Sequence, residues 1–353
     1  MIDVSPVGKG DLSAFFGLLA DIYPAGPVRS HLFREHQGLF QPFFHPVLHH
    51  IDYGLFVARD GRRPVGRVAA IIDTHYPDPR VGFFGLFEAH RDQEAATSLL
   101  QAAGGWLRDR GKTVMLGPVS FNTNQKVGLV IDGFGRPPQP SLPFNPPYYQ
   151  ELLEGAGLKK EIDLLAYLWD PAGADTARLD SVAERARRRI PGLALRRLGG
   201  MTLMGAAGAI REVFNRSMAA GWGFVPLTDR EVAAFVQALA FRGRGIYILA
   251  ETATGPAGIS LSLPVEQAGA FRPAACFRLA ILGVVPEYRN RGLAAVLIQE
   301  TVRAYARRGL RRVEFSLVAE SNVPMARIIE LSQAAVVQRC RVYRRTLEPG
   351  QDA

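Results

Sequence analysis

Strand-like and helix-like segments alternate along the chain and their order repeats, so the sequence predicts an α/β protein of two domains. Three observations carry this. At 353 residues the chain is long for one domain. A strand, a loop and a helix follow one another without a break in LAILGVVPEYRNRGLAA, residues 279–295. Finally, two helical patterns end at glycine, Gly111 and Gly309, and each glycine falls the same distance after an alanine, Ala96 and Ala294. That common spacing sets the two halves in one register.

In the first half, residues 2–5 read as a strand and 11–21 as a helix. Residues 54–58 and 65–72 alternate on either side of Gly61 as a hairpin. Residues 81–88 (VGFFGLFE) form a strand, 95–110 a helix ending at Gly111, and 113–116 a strand. Asn145-Pro146-Pro147 precedes a further helical segment. Between them lies a Gly- and Pro-rich insertion, residues 124–144, which reads equally as a binding loop or as a packed cover. A linker at 170–175 and a bridging helix at 176–189 follow.

The second half begins with a strand near 193–196. Helices are expected over 201–216 and over 229–239, the latter capped by Thr228. Residues 246–251 and 257–264 form a hairpin, and 276–285 is the strand that enters the loop. A helix over 293–308, a strand over 312–318, a short helix over 322–332 and a last strand over 334–347 complete it. The expected division is 1–170, then a linker and bridging helix at 171–192, then 193–353.

Composition narrows the function. An apolar content of 48% is enough to bury real cores, and no run of 18 apolar residues is present, so no membrane span and no membrane partner are expected. The start, MIDVSPVGKGD, lacks the basic and apolar regions of a secretory signal. Two distant cysteines, Cys276 and Cys340, indicate a reducing compartment, and a cytoplasmic location is expected. The net charge of +9 favours anionic partners. The arginine run 185–189 lies among Asp180 and Glu184 and reads as a solvated helix face rather than a nucleic-acid reader. His45, His49 and His50 have no acidic or Cys neighbour at ligand spacing, so no metal is expected.

Chemistry concentrates at Arg289-Asn290-Arg291-Gly292-Leu293-Ala294. A glycine-bearing loop at a helix N-terminus gathers free N–H groups, and the helix dipole favours negative charge there. The spacing is that of the acetyl-CoA diphosphate loop, Arg/Gln-x-x-Gly-x-Gly/Ala. With Val285-Pro286-Glu287-Tyr288 before it and Asn322 after it, this segment resembles the GNAT acyltransferase superfamily. The whole chain resembles bacterial tandem-GNAT proteins through Gly117-Pro118, Asn122-Thr123-Asn124, Asn145-Pro146-Pro147-Tyr148-Tyr149 and Trp222-Gly223-Phe224-Val225-Pro226.

The resemblance implies two GNAT-like domains, each a twisted mixed sheet flanked by helices, and N-acyl transfer from acetyl-CoA or another acyl-CoA to a small-molecule amine. It implies that the fourth and fifth strands of the second domain splay apart, and that pantetheine pairs with 280–285. Backbone N–H groups near Gly283 and Val284 would then serve as oxyanion donors and pantetheine partners, with Leu282 beside them also on the cofactor-binding strand. Arg289, Asn290, Arg291, Gly292, Leu293 and Ala294 would hold the diphosphate, and Asn322 the pantetheine arm unless it is only a helix cap.

Glu320 is the candidate base, provided that burial raises its pKa. Trp222 and Phe224 are candidate acceptor-pocket residues. No Tyr lies on the 322–332 helix, where many members keep a general acid; Tyr288 and Tyr343 are the reserves. In the first domain the common register places Glu94 where Gly292 stands, so its cofactor loop is expected to be lost. The alternatives are a tRNA-dependent aminoacyltransferase of the same architecture and a non-catalytic CoA-sensing protein. The resemblance leaves a monomeric pseudo-dimer and a homodimer both open.

Overall fold

The computed structural model describes residues 1–8, 12–41, 45–139, 141–171, 176–265, 276–310 and 312–348. In chain order the elements are β1 (Ile2–Val7), α1 (Ser13–Gly17), α2 (Leu19–Ile22), α3 (Pro27–Leu39), β2 (Ile51–Asp60), β3 (Arg63–Asp73), β4 (Val81–Ala89), α4 (Gln93–Arg108), β5 (Val114–Val119), β6 (Leu129–Asp132), α5 (Tyr149–Gly155) and β7 (Lys159–Trp169). They continue with α6 (Ala177–Arg189), β8 (Ala194–Leu198), α7 (Met201–Gly205), α8 (Ala207–Met218), α9 (Asp229–Arg242), β9 (Ile246–Thr252), β10 (Gly255–Pro264), β11 (Cys276–Val284), α10 (Leu293–Ala306), β12 (Arg312–Ala319), α11 (Val323–Ser332) and β13 (Ala335–Thr346). The chain divides into two compact units, Met1–Leu164 with Gln338–Ala353, and Leu165–Val337.

The first unit is a mixed sheet in the order β1-β2-β3-β4-β5-β13, with β6 also on β13. Strands β4 and β5 are parallel; the β1 to β4 neighbours are antiparallel. Helix α4 starts at Asp92, whose carboxylate accepts from Ala95 N. Its stripe of Ala95, Ala96, Leu99, Leu100, Ala103 and Leu107 is buried on the sheet beside Val68 and Phe84. The helix expected over 11–21 is broken into α1 and α2, and residues 9–11 lie outside the described ones. The insertion packs: β6 pairs with β13, and Leu129, Val130 and Leu142 are buried.

The second unit is a mixed sheet in the order β12-β11-β10-β9-β8. One face packs on α10 and α6 through Phe277, Leu279, Phe315, Val296 and Ala186. The other face packs on α7, α8 and α9 through Ile259, Leu249, Ile210 and Val236. Helix α9 carries the capping box that Thr228 announces, completed by Glu231. The single helix expected over 201–216 is interrupted at Ala206. The bridging helix, α6, groups with this unit and lies against α10.

The last strand departs from the sequence reading, which kept 334–347 with the second half. Gln338–Ala353 group with the first unit, where Tyr343 pairs with Gly117 and Thr346 with Val114. Cys340, Val342 and Tyr343 are fully buried, and Tyr343 and Leu347 belong to the first core. Burial of this apolar face, not position in the chain, decides which sheet the strand joins.

Asp163 on β7 fixes β13 in the first unit. Its carboxylate accepts from Arg341 at 2.8 and 3.2 Å and from Arg339 at 3.2 Å, and Lys160 lies at 3.1 Å. Burial alone would raise its pKa, but these cations outweigh it and hold the group at about 2. A carboxylate depressed in the folded state stabilises above its unfolded pKa and loses that stabilisation as pH falls through the folded value. Chemical denaturation from pH 6 to pH 2 should therefore show a loss of up to about 2 kcal/mol below pH 4 in the wild type. Asp163→Asn should be less stable at pH 6 and lack that part of the slope.

Candidate active site

The site begins where two strands of the second unit stop pairing. Strand β11 pairs in parallel with β12 only from Cys276↔Arg312 to Leu279↔Phe315. Beyond that rung β11 continues to Val284, antiparallel to β10, with no β12 partner among the described residues. A bulge sits at the parting: Leu261 pairs with Ile281 and Ser262 with Leu279, leaving Ala280 exposed and unpaired in the ladder. Val285 donates its N–H toward β10, to Ala257 O at 2.9 Å. Alternation along the strand then turns the N–H groups of Val284 and Leu282 to the open side, while that of Gly283 faces β10. Gly283 has its own constraint, because an added Cβ would lie 2.5 Å from Ser217 Oγ on α8.

Strand β11 runs through a 3-10 turn, Pro286–Tyr288, into the loop. Asn290 (φ 58°) and Gly292 (φ 82°) are both left-handed, flanking Arg291. Alternating left-handed residues turn successive N–H groups to one side, which makes an anion-binding concavity. Helix α10 begins at Gly292 with no side-chain cap, so its first N–H groups and dipole face the same place.

The two loop arginines differ. Arg289 donates to Ser217 O at 2.7 Å and to Val284 O at 3.4 Å, which ties the loop to α8. Arg291 is exposed and lies over the Tyr288 ring at 5.6 Å, leaving it the cation that can meet an anion. Gly292 is needed for a reason the sequence did not disclose: an added Cβ would lie 2.9 Å from Ala186 Cβ and 3.1 Å from Val182 Cγ1 on α6.

Residues 209–331 match the acetyltransferase (GNAT) family model. The match places a GNAT-family domain in the C-terminal region, within the second unit. It is 28% identical to Protein YghO of Escherichia coli over 373 residues, covering 97% of this chain and 94% of that protein. It is 29% identical to the bacterial ceramide synthase of Caulobacter vibrioides over 347 residues, covering 90% and 89%. Among solved structures, a tandem GNAT protein from the clavulanic acid biosynthesis pathway matches with a TM-score of 0.59 at 17% identity, over 99% of this chain and all of that one.

The other expected residues of the GNAT domain fall around this cleft unevenly. Asn322 is exposed and caps α11, accepting from Met325 N at 3.1 Å. Glu320, on the turn after β12, is exposed, so it lacks the burial on which its candidacy as base rested. Trp222 and Phe224 are half-buried on the α8–α9 loop, with Phe224 beside Phe214 at 6.5 Å. Asn215 fixes that loop by accepting from Leu227 N and donating to Leu227 O. The sequence reading passed over Asn215 and Ser217, because nothing in their spacing marks them.

Tyr288 donates to, or accepts from, Thr252 and Thr254 at 3.0 and 2.9 Å, and those bonds lower its pKa. Tyr343, the other reserve acid, is buried in the first unit on Glu154. The buried carboxylate nearest the parting is Glu314, which accepts from Arg278 Nε at 2.8 Å and Ser316 Oγ at 2.6 Å.

In the first unit the corresponding places are filled by the chain itself. Pairing of β4 with β5 continues past Phe83↔Leu116 to Gly85↔Val119, where an added Cβ on Gly85 would lie 1.7 Å from Val119 O. The end of β4 is taken: Ala89 N donates to Tyr149 Oη at 3.0 Å and Ala89 O accepts from Tyr148 at 2.8 Å. Tyr149 and Tyr23 also donate to the buried Glu88, whose pKa burial pushes up. At the start of α4, the Asp92 carboxylate occupies the helix N-terminus and Gln93 donates to Leu152 O of α5.

The histidines behave differently from their sequence neighbourhood. Asp73, the last residue of β3, and His75 in the turn after it come to His50, with ligand atoms of the three within 4.8 Å of one another. His50 Nδ1 lies 2.7 Å from Asp73 Oδ1, and Asp73 also accepts from His75 N and Asn122. The two rings are stacked 12° from parallel at 4.0 Å. The sequence spacing offers His50 no acidic partner, and the fold supplies one: among the described residues His50, Asp73 and His75 gather three groups of metal-ligating type around a hydrogen-bonded His–Asp pair.

Asn322→Ala should cost about 1 kcal/mol of stability through loss of the cap. Asn322→Ser should restore most of it. Acetyl-CoA affinity measured on the Ser variant then isolates any role of the amide: unchanged affinity means that Asn322 is a cap alone.

Proposed function

We propose that the chain transfers an acyl group from acyl-CoA to the primary amine of an acceptor, within its second unit. The observation that carries this reading is the parting of β11 from β12 at Leu279 and Phe315, running directly into the left-handed loop of Asn290 and Gly292. An extended thioester arm fits the unpaired edge of β11, and a diphosphate fits the N-terminus of α10 with Arg291 beside it. The N–H groups of Leu282 and Val284 are the oxyanion donors on this reading.

The neutral amine attacks the thioester carbonyl carbon, forming the C–N bond. The C–S bond then breaks, and the pair leaves on sulfur as a thiolate that solvent can protonate, since a thiol of pKa near 8.5 is a tolerable leaving group. The ammonium proton goes to water or through it to Glu320, which is exposed on the turn after β12.

The Caulobacter relative's name concerns the acceptor. Ceramides are N-acyl amides of long-chain amino alcohols, and 29% identity over 347 residues favours an acceptor of that kind over a small polar amine. The half-buried Trp222 and Phe224 suit an apolar chain.

Titration calorimetry of acetyl-CoA and a long-chain acyl-CoA should give one site. Arg291→Glu, an exposed change, should weaken it about tenfold. Gly292→Glu is a poorer test, because it also collides with α6. A panel of amines containing sphinganine should then yield amide and free thiol. Absence of acyl-CoA binding would overturn the reading; binding without turnover of any amine would favour a sensor; a gel shift with charged tRNA would favour aminoacyl transfer.

A further inference from the structure

The arginine run 185–189, read from the sequence as one solvated face, divides once α6 forms. Arg187 turns to α10, donating to Gln299 at 3.0 Å and to Glu300 at 2.8 Å. The two carboxylates of α6 lie on that flank. Asp180 accepts from Gln299 and lies 3.8 Å from Arg303, and Glu184 lies 3.9 Å from Arg187.

The opposite flank faces the loop. Val182 and Ala186 are the residues that an added Cβ on Gly292 would meet. Arg185 and Arg189 each stand three residues after one of them, and side chains three apart on a helix are neighbours on one face. Both arginines are exposed and in no ion pair among the described residues. Arg185 gives one of its five N–H donors to Ser181 Oγ at 2.8 Å, which leaves the planar guanidinium able to meet a second acceptor.

Two guanidiniums therefore stand beside the turn that opens α10, on a helix outside residues 209–331 of the family match. The loop N–H groups and Arg291 suit a diphosphate. CoA carries one more anion, a phosphate monoester on the 3′ oxygen of the ribose attached to that diphosphate. A monoester holds about two negative charges at neutral pH, and the guanidinium fork matches it bidentately.

We propose that Arg185 and Arg189 form the subsite for the 3′-phosphate of the CoA donor. The bridging helix, and not the matched domain alone, then selects CoA over its dephospho form. This inference rests on the acyl-CoA reading above and assigns residues to the nucleotide end of the donor.

The experiment is titration calorimetry of the full chain with CoA and with dephospho-CoA, which lacks only that monoester. The wild type should bind CoA about tenfold more tightly, and the difference should shrink at high salt. Arg185→Gln and Arg189→Gln should each remove part of the preference. The double variant should bind both forms alike, at the wild type's affinity for dephospho-CoA. Arg230→Gln, an exposed change of the same charge on α9 across the sheet, should keep the preference, which separates a local contact from net charge. All three side chains are exposed, so melting temperatures should match the wild type's and show that the variants fold.

Equal wild-type affinity for the two forms would overturn the proposal and leave the acyl-CoA reading standing. So would a preference that the double variant retains, or one that Arg230→Gln removes as fully. Binding of neither form would overturn both. A gel shift of charged tRNA that the double variant loses, with no preference between the two forms, would give these arginines to a nucleic acid instead.

Discussion

The second unit depends on a single failure of pairing. A backbone N–H or C=O away from its ladder must find water or a ligand, so a sheet opens between two strands only where both edges remain accessible. Strands β11 and β12 meet this by staying joined through four rungs over α10 and separating beyond Leu279 and Phe315. Below the parting Phe277, Leu279, Val313 and Phe315 are clamped by the core, and above it Leu282 and Val284 are half-buried along the open edge. The bulge at Ala280 re-aims the strand at that point. The loop that follows is held by Arg289 on one side and by the contact of Gly292 with α6 on the other.

The first unit shows the alternative solution to the same problem. Its β4 and β5 keep pairing further, and what remains unpaired at the end of β4 is satisfied by Tyr148 and Tyr149. The N-terminus of α4 receives the Asp92 carboxylate, which removes both the free N–H group and the uncompensated dipole that an anion would seek. Two halves with a common order of elements thus differ in whether the chain satisfies its own polar groups or leaves them for a ligand.

Charge is divided in the same way. Much of the chain's excess arginine is committed locally: Arg289 to backbone carbonyls, Arg339 and Arg341 to Asp163, Arg278 to Glu314. Arg291 beside the loop, exposed and in no ion pair among the described residues, is the one the candidate site leaves for a partner. Net charge alone does not distinguish these roles; the partner of each guanidinium does.

Local chemistry made a good part of this legible in the sequence. The capping box at Thr228, the hairpins, the strand entering 286–292 and the helices ending near Gly111 and Gly309 follow from turn residues and periodicity, which act over a few residues. The positions of Arg289 to Ala294 followed equally, because glycine spacing encodes a backbone conformation. Long-range choices were not legible. That β13 joins the first unit, that Asp73 reaches His50, that Glu320 stands exposed while Glu314 is buried, and that Gly292 presses on α6 are all set by packing between segments far apart in the chain. A strand's pattern states which face it buries and not which neighbour it buries against, so those decisions belong to the tertiary structure alone.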